Sequence, residues 1–462
     1  MVEQAERVLA YLRADEVWSV VLAAVRESGW PVYVVGGTVR DVLLGRPSVD
    51  LDLAIHGSAL ALGRSLADGL RGAFYPLDVE RNVARVLVCH GGRRRQLDIA
   101  GLRAPDIEDD LRARDFTVNA LAVPLHGDAP ALLDPTGGLA DLEAGIVRMC
   151  SASAFVDDPV RVLRLARLCG QLGFVPAPET ECAARLASPA LAGVAGERLR
   201  DELLSLLALP GCAAALRFAA DLGLQEALCG WPIDAHQFSE RLWLLETVTC
   251  WQMALWCGAG PTALQPYYPQ MVATAAQEMT PGRPRWLLLR LALLVAACAN
   301  GDAEGSACLS RLCLSRQEAQ WVADTLASSR RLATLGEPNA LSLHRYFGQA
   351  RGAGASGAFV ALAAALGQGR QGDALARAAQ AALKAWYTEY DTIVAPPPLV
   401  TGDDLIRELG QAPGPWVGQA LTAIREAQVV GTVRTRREAL ALAAELGTQA
   451  AGPTGAVAGG KG

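Results

Sequence analysis

From residue 2 to residue 29, apolar side chains recur at helical intervals: Val8, Leu9 and Leu12, then Val17, Val20, Val21, Ala24 and Val25. This spacing predicts one or two amphipathic helices. The period then changes. Tyr33-Val34-Val35 is a β-branched and aromatic run stopped by Gly36-Gly37, a strand ending in a turn where bare backbone N–H groups can meet an anion. A short helical segment closed by Gly45 and Pro47 leads into Val49-Asp50-Leu51-Asp52-Leu53-Ala54-Ile55, where polar and apolar residues alternate. Residues i and i+2 of a strand share a face, so Asp50 and Asp52 project together while Val49, Leu51 and Leu53 take the buried face. Further along, a helix is expected over 58–70 and paired strands over 84–88 and 96–99. Asp98 lies on a strand placed to neighbour that of Asp50; it reads equally well as a third carboxylate of one site or as a solvated strand residue.

Another helix is expected from Pro159, since proline suits a first helical turn and Asp157 and Asp158 before it suit the positive helix end. Asp158, Arg161 and Arg164 then fall close to one face, with Arg167 drifting behind. Beyond about residue 235 the pattern is strongly helical. Its most apolar run, Trp286 to Cys298, is interrupted by Arg290 and falls short of the roughly 20 residues a bilayer span needs. It reads as a buried helix, and no membrane partner is expected. Pro396-Pro397-Pro398 is a stiff linker, and the Gly/Ala-rich residues from about 451 onward are expected to be disordered.

Composition narrows the picture. A chain of 462 residues exceeds a single core and suggests about three to four units. With 51% hydrophobic and 19% charged residues, disorder is not its general state. A net charge of −6 provides no overall attraction to nucleic acid, so RNA contacts have to come from local arginine clusters. The eleven cysteines contain no C-x-x-C pair and no zinc-spaced His/Cys set, and no signal peptide precedes them. They read as reduced thiols of a cytoplasmic protein.

Two carboxylates fixed side by side repel each other unless a cation neutralises them, and hard oxygen ligands suit Mg²⁺. That is half of a two-metal site for in-line displacement at phosphate. An isolated D-x-D is more often a strand with polar residues facing water. Here it follows Gly36-Gly37-Thr38-Val39-Arg40-Asp41 directly, and this stretch resembles motif A of the tRNA nucleotidyltransferase and poly(A) polymerase family, the class II CCA-adding enzymes and their CC-adding branch. Four later stretches resemble the family's other motifs in order. Arg114-Asp115-Phe116-Thr117 with Asn119-Ala120 resembles motif B, and Asp134 to Leu142 motif C. Asp157-Asp158-Pro159-Val160-Arg161 resembles motif D, and Glu197 to Leu204 motif E.

The resemblance implies an α/β nucleotidyltransferase head with a mixed or antiparallel sheet, followed by an all-α neck, body and tail. The implied boundaries are 1–150 for the head, 151–235 for the neck, 236–392 for the body, 396–450 for an RNA-binding tail and 451–462 for the disordered end. It implies that Asp50 and Asp52, with Asp98 as a further candidate, hold Mg²⁺. Gly36, Gly37 and Arg40 are implied to bind the triphosphate, and Arg114, Asp115 and Asn119 to form the nucleotide and ribose side. Asp157, Asp158 and Arg161, backed by Arg164 and Arg167, are implied to read the base. Motif C is expected to set hinge geometry and motif E to buttress motif D. The substrates implied are CTP and ATP, and the partner is the 3′ end of tRNA or another RNA; oligomeric state is not legible. In the tail, Gly402 is expected just before an N-cap, Gly414-Pro415 at a turn between helices, and Arg434, Arg436 and Arg437 on phosphates. In the body, Ala296 and Ala297 stand where a His-Asp pair would mark a phosphohydrolase, so a degenerate, purely structural HD-like core is expected.

Three departures bear on specificity. Only residues 99–109 separate Asp98 from Asp110, a shortening that resembles the CC-adding branch. Asp157 stands where glutamate is frequent, and Ala113 where an arginine is. Addition of CC is therefore expected ahead of complete CCA addition, with poly(A) synthesis third and a non-catalytic RNA-binding protein on this fold as the reading from another class.

Overall fold

The computed structural model describes the chain apart from residues 49, 128–129, 224–234, 260–261, 299–301, 368 and 451–462, so the expectations for Val49 and for the end of the chain lie outside it. The chain forms two compact units, Met1–Pro232 and Ile233–Gly462.

The first unit opens with α1 (Val2–Arg13) and α2 (Glu16–Ser28), which present Val8, Leu12, Trp18, Val21 and Val25 to the interior. They precede β1 (Val32–Val35), α3 (Gly37–Leu43) and β2 (Asp50–Ile55). Next come α4 (Ala59–Leu70), β3 (Ala73–Asp78), β4 (Val83–His90), β5 (Arg93–Gly101), α5 (Ile107–Arg112) and β6 (Ala122–Pro124). The six strands form one sheet in the order β3-β4-β5-β2-β1-β6. Only β2 and β5 run parallel in it, which is the mixed sheet the resemblance implied. The parallel register sets Asp52 directly opposite Asp98 and Asp50 opposite Gln96. Leu51, Leu53, Leu97 and Ile99 are fully buried under this pair of strands, and burial of each such side chain stabilises the sheet by about 1.5–3 kcal/mol.

After α6 (Gly138–Ala144) and β7 (Ile146–Val147), the unit is helical, with α7 (Ala154–Asp157), α8 (Arg161–Leu172), β8 (Val175–Pro176), α9 (Pro178–Ala187), α10 (Gly196–Leu207) and α11 (Cys212–Asp221). The neck is therefore all-α except for the short parallel pairing of β7 with β8. Helix α8 buries Val162, Leu163, Leu165, Ala166, Leu168, Cys169 and Leu172, leaving its three arginines on the other side. Its start differs from expectation. Pro159 and Val160 form a turn ahead of the helix, and Asp158 is extended (φ −150°, ψ 93°), because a residue before proline is pushed out of the helical region. Asp158 and Arg161 are thus not helical neighbours; a turn joins them, in which the Arg161 N–H donates to the Asp158 carbonyl (3.1 Å).

The second unit is a stack of helices. One of them, Arg285–Cys298, is buried almost all round and carries Ala296 and Ala297. A small hairpin, Glu278–Thr280 with Arg283–Pro284, interrupts the helices. Its final three helices, Gly402–Leu409, Pro415–Val429 and Arg436–Ala450, close a small core around Leu405, Ala420, Ile424, Ala439 and Ala443. Thr401 is the N-cap of the first of them and forms a capping box with Asp404. This corrects the expectation for Gly402, which is the first helical residue: Thr401 finds an acidic residue three places on, so that its hydroxyl accepts from the Asp404 N–H and the Asp404 carboxylate accepts from its own N–H, satisfying two donors at once. Gly414 and Pro415 do open the following helix. Among the described residues, no single helix is long and apolar enough to cross a membrane.

Candidate active site

The site begins with a turn that only glycine makes easily. Gly36 has φ +69°, and a Cβ there would lie 3.3 Å from both the Arg114 Nη1 and the Asp52 Oδ2. Backbone and carboxylate can come this close because no side chain intervenes. Thr38 fixes the carboxylate strand from the adjacent helix: its hydroxyl donates to the Asp50 carbonyl (3.2 Å) and accepts from the Asp52 N–H (3.1 Å). The Ser48 hydroxyl also donates to the Asp50 carbonyl (2.6 Å). These contacts hold two carboxylates at the mouth of a cavity of about 470 Å³ lined by Gly37, Arg40, Asp50, Asp52, Asp98, Asp115, Asn119, Arg164 and Arg167, among others.

Neither the Asp50 nor the Asp52 carboxylate has a hydrogen-bond partner among the described residues, and both are held above the ordinary carboxylate range. For Asp52 burial is the main cause, followed by the charge of Asp98; Arg114 opposes, Asp50 adds, Arg40 opposes, and the result is about 6. Asp50 is raised by burial and by Asp98, against Arg85. Crowded, partly desolvated and unpaired carboxylates suit a bound cation. Asp98 differs: Arg85 donates to both its oxygens (2.7 and 2.9 Å) and the Gln96 amide to one (3.0 Å). No three His, Cys, Asp or Glu side chains are grouped to hold a metal ion among the described residues. The residues present therefore fit a cation held by the Asp50–Asp52 pair, with Asp98 committed to Arg85.

From the turn, a chain of hydrogen bonds runs through the predicted nucleotide residues. Arg40, almost fully buried, donates to Asp41 (2.8 Å) and to Asn119 Oδ1 (2.6 Å). The Asn119 amide donates to Asp115 Oδ1 (3.4 Å), and Asp115 Oδ2 accepts from Arg164 (3.0 Å). Arg164 also donates twice to Glu202 on α10 (2.8 and 2.6 Å), as does Arg167 once (3.0 Å). Burial pushes the Asp115 carboxyl up, but the Arg164 charge and hydrogen bond, the Phe116 N–H and Asn119 outweigh it and bring it below the usual range. Burial likewise opposes the Arg164 charge, and Asp115 and Glu202 hold it firmly in place.

On the far side of Arg164 lies a second cavity of about 800 Å³, bounded by Arg81, Asn82, Leu102, Arg103, Asp158, Arg161, Arg164 and Arg198, among others. Arg164 thus lines both chambers. Asp158 Oδ2 accepts from Arg198 (2.7 Å). Arg161 donates to the carbonyls of Ala154 (3.1 Å) and Ala113 (3.3 Å). Asp158 Oδ1, Arg161 Nε and Arg114 Nε are shielded from solvent and have no hydrogen-bond partner among the described residues. An acceptor and two donors left unmade in this way are costly. Asp157 lies apart, exposed at the end of α7, where it accepts from the Ser153 hydroxyl (2.8 Å).

The structure thus gathers Gly37, Arg40, Asp50, Asp52, Asp98, Asp115, Asn119, Arg164 and Arg167 around the first cavity, with Gly36 and Arg114 beside Asp52, sets Asp158, Arg161 and Arg164 around the second, and leaves Asp157 outside both. It also adds residues the sequence reading passed over: Thr38, Arg85, Arg103, Asp110, Arg198 and Glu202. Thr38, Arg198 and Glu202 were inside the motif stretches, so their position was a signal; Arg85, Arg103 and Asp110 carried none. Motif C is structural in kind. Asp134 accepts from the N–H groups of Gly138 and Leu139 (2.7 and 2.9 Å), and Asp141 accepts from the Thr117 hydroxyl (2.8 Å). In the tail, Arg436 is paired with Asp404 (3.0 Å) and Glu408 (3.5 Å), while Arg434 donates to the Gly431 carbonyl (3.1 Å).

Comparison with known proteins extends over most of the chain. Residues 32–148 match the poly(A) polymerase head domain, 173–229 the RNA and SrmB-binding site of polymerase A, and 290–444 the second domain of tRNA nucleotidyltransferases. A CC-adding tRNA nucleotidyltransferase of Geobacter sulfurreducens is 34% identical over 94% of this chain and 96% of its own. An A-adding tRNA nucleotidyltransferase of Deinococcus radiodurans is 31% identical over 88% and 94%. Among solved structures, a CCA-adding enzyme in complex with CTP is similar in fold, with a TM-score of 0.65 at 24% identity over 94% of this chain and 97% of that one.

Proposed function

Because the chain belongs to the tRNA nucleotidyltransferase and poly(A) polymerase family, we propose that this nucleotidyltransferase transfers two cytidylates from CTP to the 3′ end of tRNA. The RNA 3′-hydroxyl attacks the α-phosphorus of CTP and pyrophosphate leaves, a displacement governed by positioning and charge. Asp50 and Asp52 would hold Mg²⁺, which when bound acidifies the hydroxyl and stabilises charge on the leaving oxygen. Gly36 and Gly37 leave the backbone open to the triphosphate. Arg40, fixed by Asn119, and Arg114, beside Asp52, supply positive charge there.

The observation that carries the reading is that Asp158 and Arg161 stand together on the wall of one chamber, which shares Arg164 with the chamber of the carboxylates. A carboxylate oxygen accepts from the exocyclic amine of cytosine and a guanidinium N–H donates to its ring acceptors, whereas uracil sets an acceptor against the carboxylate. Adenine also carries an amine, so this pair alone admits ATP; one relative of comparable identity is named for A-addition, which makes addition of A the second reading. Cytosine is favoured by the wall of the chamber. Strand β5 ends at Gly101 and α5 begins at Ile107, and the connection between them is tied by Leu102 N–H to the Ile55 carbonyl (3.0 Å) and by Arg103 N–H to Asp110 (3.1 Å). A segment so short and so held has little room to retract for a purine.

The test offers tRNA lacking its 3′ end with CTP alone, ATP alone or both, and sizes products to one nucleotide. Two additions with CTP and no third with ATP are expected. A third addition refutes the CC reading, and no addition under any condition refutes the enzyme reading.

A further inference from the structure

Asp110, with Asp115 and Asp141, is one of three buried carboxylates among the described residues of the first unit, and above it serves only as the acceptor for the Arg103 N–H. Its position is set by α5, whose Ile107 and Leu111 pack into a cluster with Val35, Ala54, Ala120 and Ala122 on the sheet. The helix is thereby anchored to the strands that flank the Gly36 turn. At its N-terminus Asp106 caps it, accepting from the Asp109 N–H (2.9 Å). Asp110 then uses its two oxygens in different directions. Oδ1 accepts from the backbone N–H of Arg103 (3.1 Å), in the connection that bounds the base chamber. Oδ2 accepts from Arg114 Nη2 (3.2 Å), whose Nη1 borders Gly36 beside Asp52.

We propose that Asp110 is a positioning residue: by bracketing the Arg103 backbone and the Arg114 guanidinium, it sets Arg114 at the triphosphate turn and fixes the wall of the base chamber in one move. Geometry favours this over a merely structural ion pair. Arg114 follows the end of α5, its Nε is buried without a partner, and Asp110 is the carboxylate its guanidinium is bonded to. A long side chain with four rotatable bonds would otherwise lose rotameric freedom on binding nucleotide; the bracket removes that freedom beforehand. The role rests on the proposed reading of Arg114 as a nucleotide contact.

The experiment is a double-mutant cycle on the full chain with D110N, R114Q and the combination, measuring kcat and KM for CTP on tRNA lacking its 3′ end, alongside thermal denaturation of each variant. D110N keeps shape and the acceptor for the Arg103 N–H but loses the charge facing Arg114. The expected result is a fall of about tenfold or more in kcat/KM in the wild-type background and about twofold or less once Arg114 is gone, as for residues acting as a unit. Equal losses in both backgrounds overturn the proposal. Should D110N fail to fold, D110E keeps the charge and lengthens the arm; its loss is expected to be larger where Arg114 is present, and equal losses with and without Arg114 overturn the proposal. A folded wild-type chain that adds no nucleotide removes the functional reading and this one with it, whereas an active wild type with additive variants removes only the role of Asp110.

Discussion

Replacing Asp52 with asparagine is expected to abolish nucleotide addition and, in the absence of divalent cation, to make the folded chain more stable. Its carboxyl is displaced from 3.8 to about 6, first by burial and then by Asp98, with a smaller push from Asp50 and against the opposing charges of Arg114 and Arg40. At 1.36 kcal/mol per pH unit, keeping it ionised costs the fold about 3 kcal/mol. The sign follows from the raised value. Below pH 3.8 the group is protonated folded and unfolded, and there is no penalty; the penalty grows as pH rises and is complete above about 6. The uncharged D52N never incurs it. For a unit of about 230 residues, each kcal/mol moves the melting temperature by ~2–4 °C, so D52N should melt ~6–12 °C above wild type at pH 8 in chelator and within a few degrees of it near pH 4. Magnesium should narrow the gap by stabilising the wild type alone. Thermal scans of both chains at pH 4, 6 and 8, with chelator and with Mg²⁺, decide the matter: equal melting temperatures at pH 8 in chelator would refute the claim that this carboxylate is uncompensated.

Other outcomes follow from the same geometry. D98N should keep activity within about tenfold of wild type, because Arg85 and Gln96 already occupy its oxygens, whereas D50N should lose about 10³-fold; equal losses in a primer-extension assay would make Asp98 a third metal ligand instead. E202Q weakens the anchor shared by Arg164 and Arg167 and should cost about 2 kcal/mol of stability and raise misincorporation of UTP; unchanged nucleotide selectivity would confine Glu202 to packing. In the tail, R437A should weaken tRNA binding and lower the slope of log affinity against log salt by about 1, since Arg437 forms no ion pair among the described residues. R436A loses two intramolecular partners as well, so a larger salt-slope change for R436A than for R437A would contradict that assignment.

Much of this was legible in the chain, for identifiable reasons. The alternation from Asp50 to Leu53 fixes which side chains share a face, and the register of β2 with β5 then makes the Asp52–Asp98 juxtaposition unavoidable. Strands β3 and β6 were not anticipated. Ala73–Asp78 contains Pro76 and is largely exposed as an edge strand, and Ala122–Pro124 has only three residues; neither has a periodicity to read. The arginines of α8 were readable as a basic face, but what they face was not. Glu202 lies 38 residues from Arg164 and Asp115 lies 49 away, and no local pattern reports pairings over such distances. Arg85 was hidden in the same way, since only the pairing of β4 with β5 brings it to Asp98. Asp157 and Asp158 looked equivalent by adjacency, yet the extended backbone imposed by Pro159 sends one into the cleft and leaves the other outside.

The run of contacts from Arg40 through Asn119, Asp115 and Arg164 to Glu202 also determines how the chain can be recombined. A chimera joined near residue 150 would separate Asp115 from Arg164 and Glu202, leaving half of a buried, charged seam facing a partner shaped by a different lineage. Such a hybrid can be expected to fold and still handle nucleotides poorly. A junction beyond α10 transfers the seam whole, so the heritable module is the head together with its first neck helices, larger than the boundary suggested by the sheet.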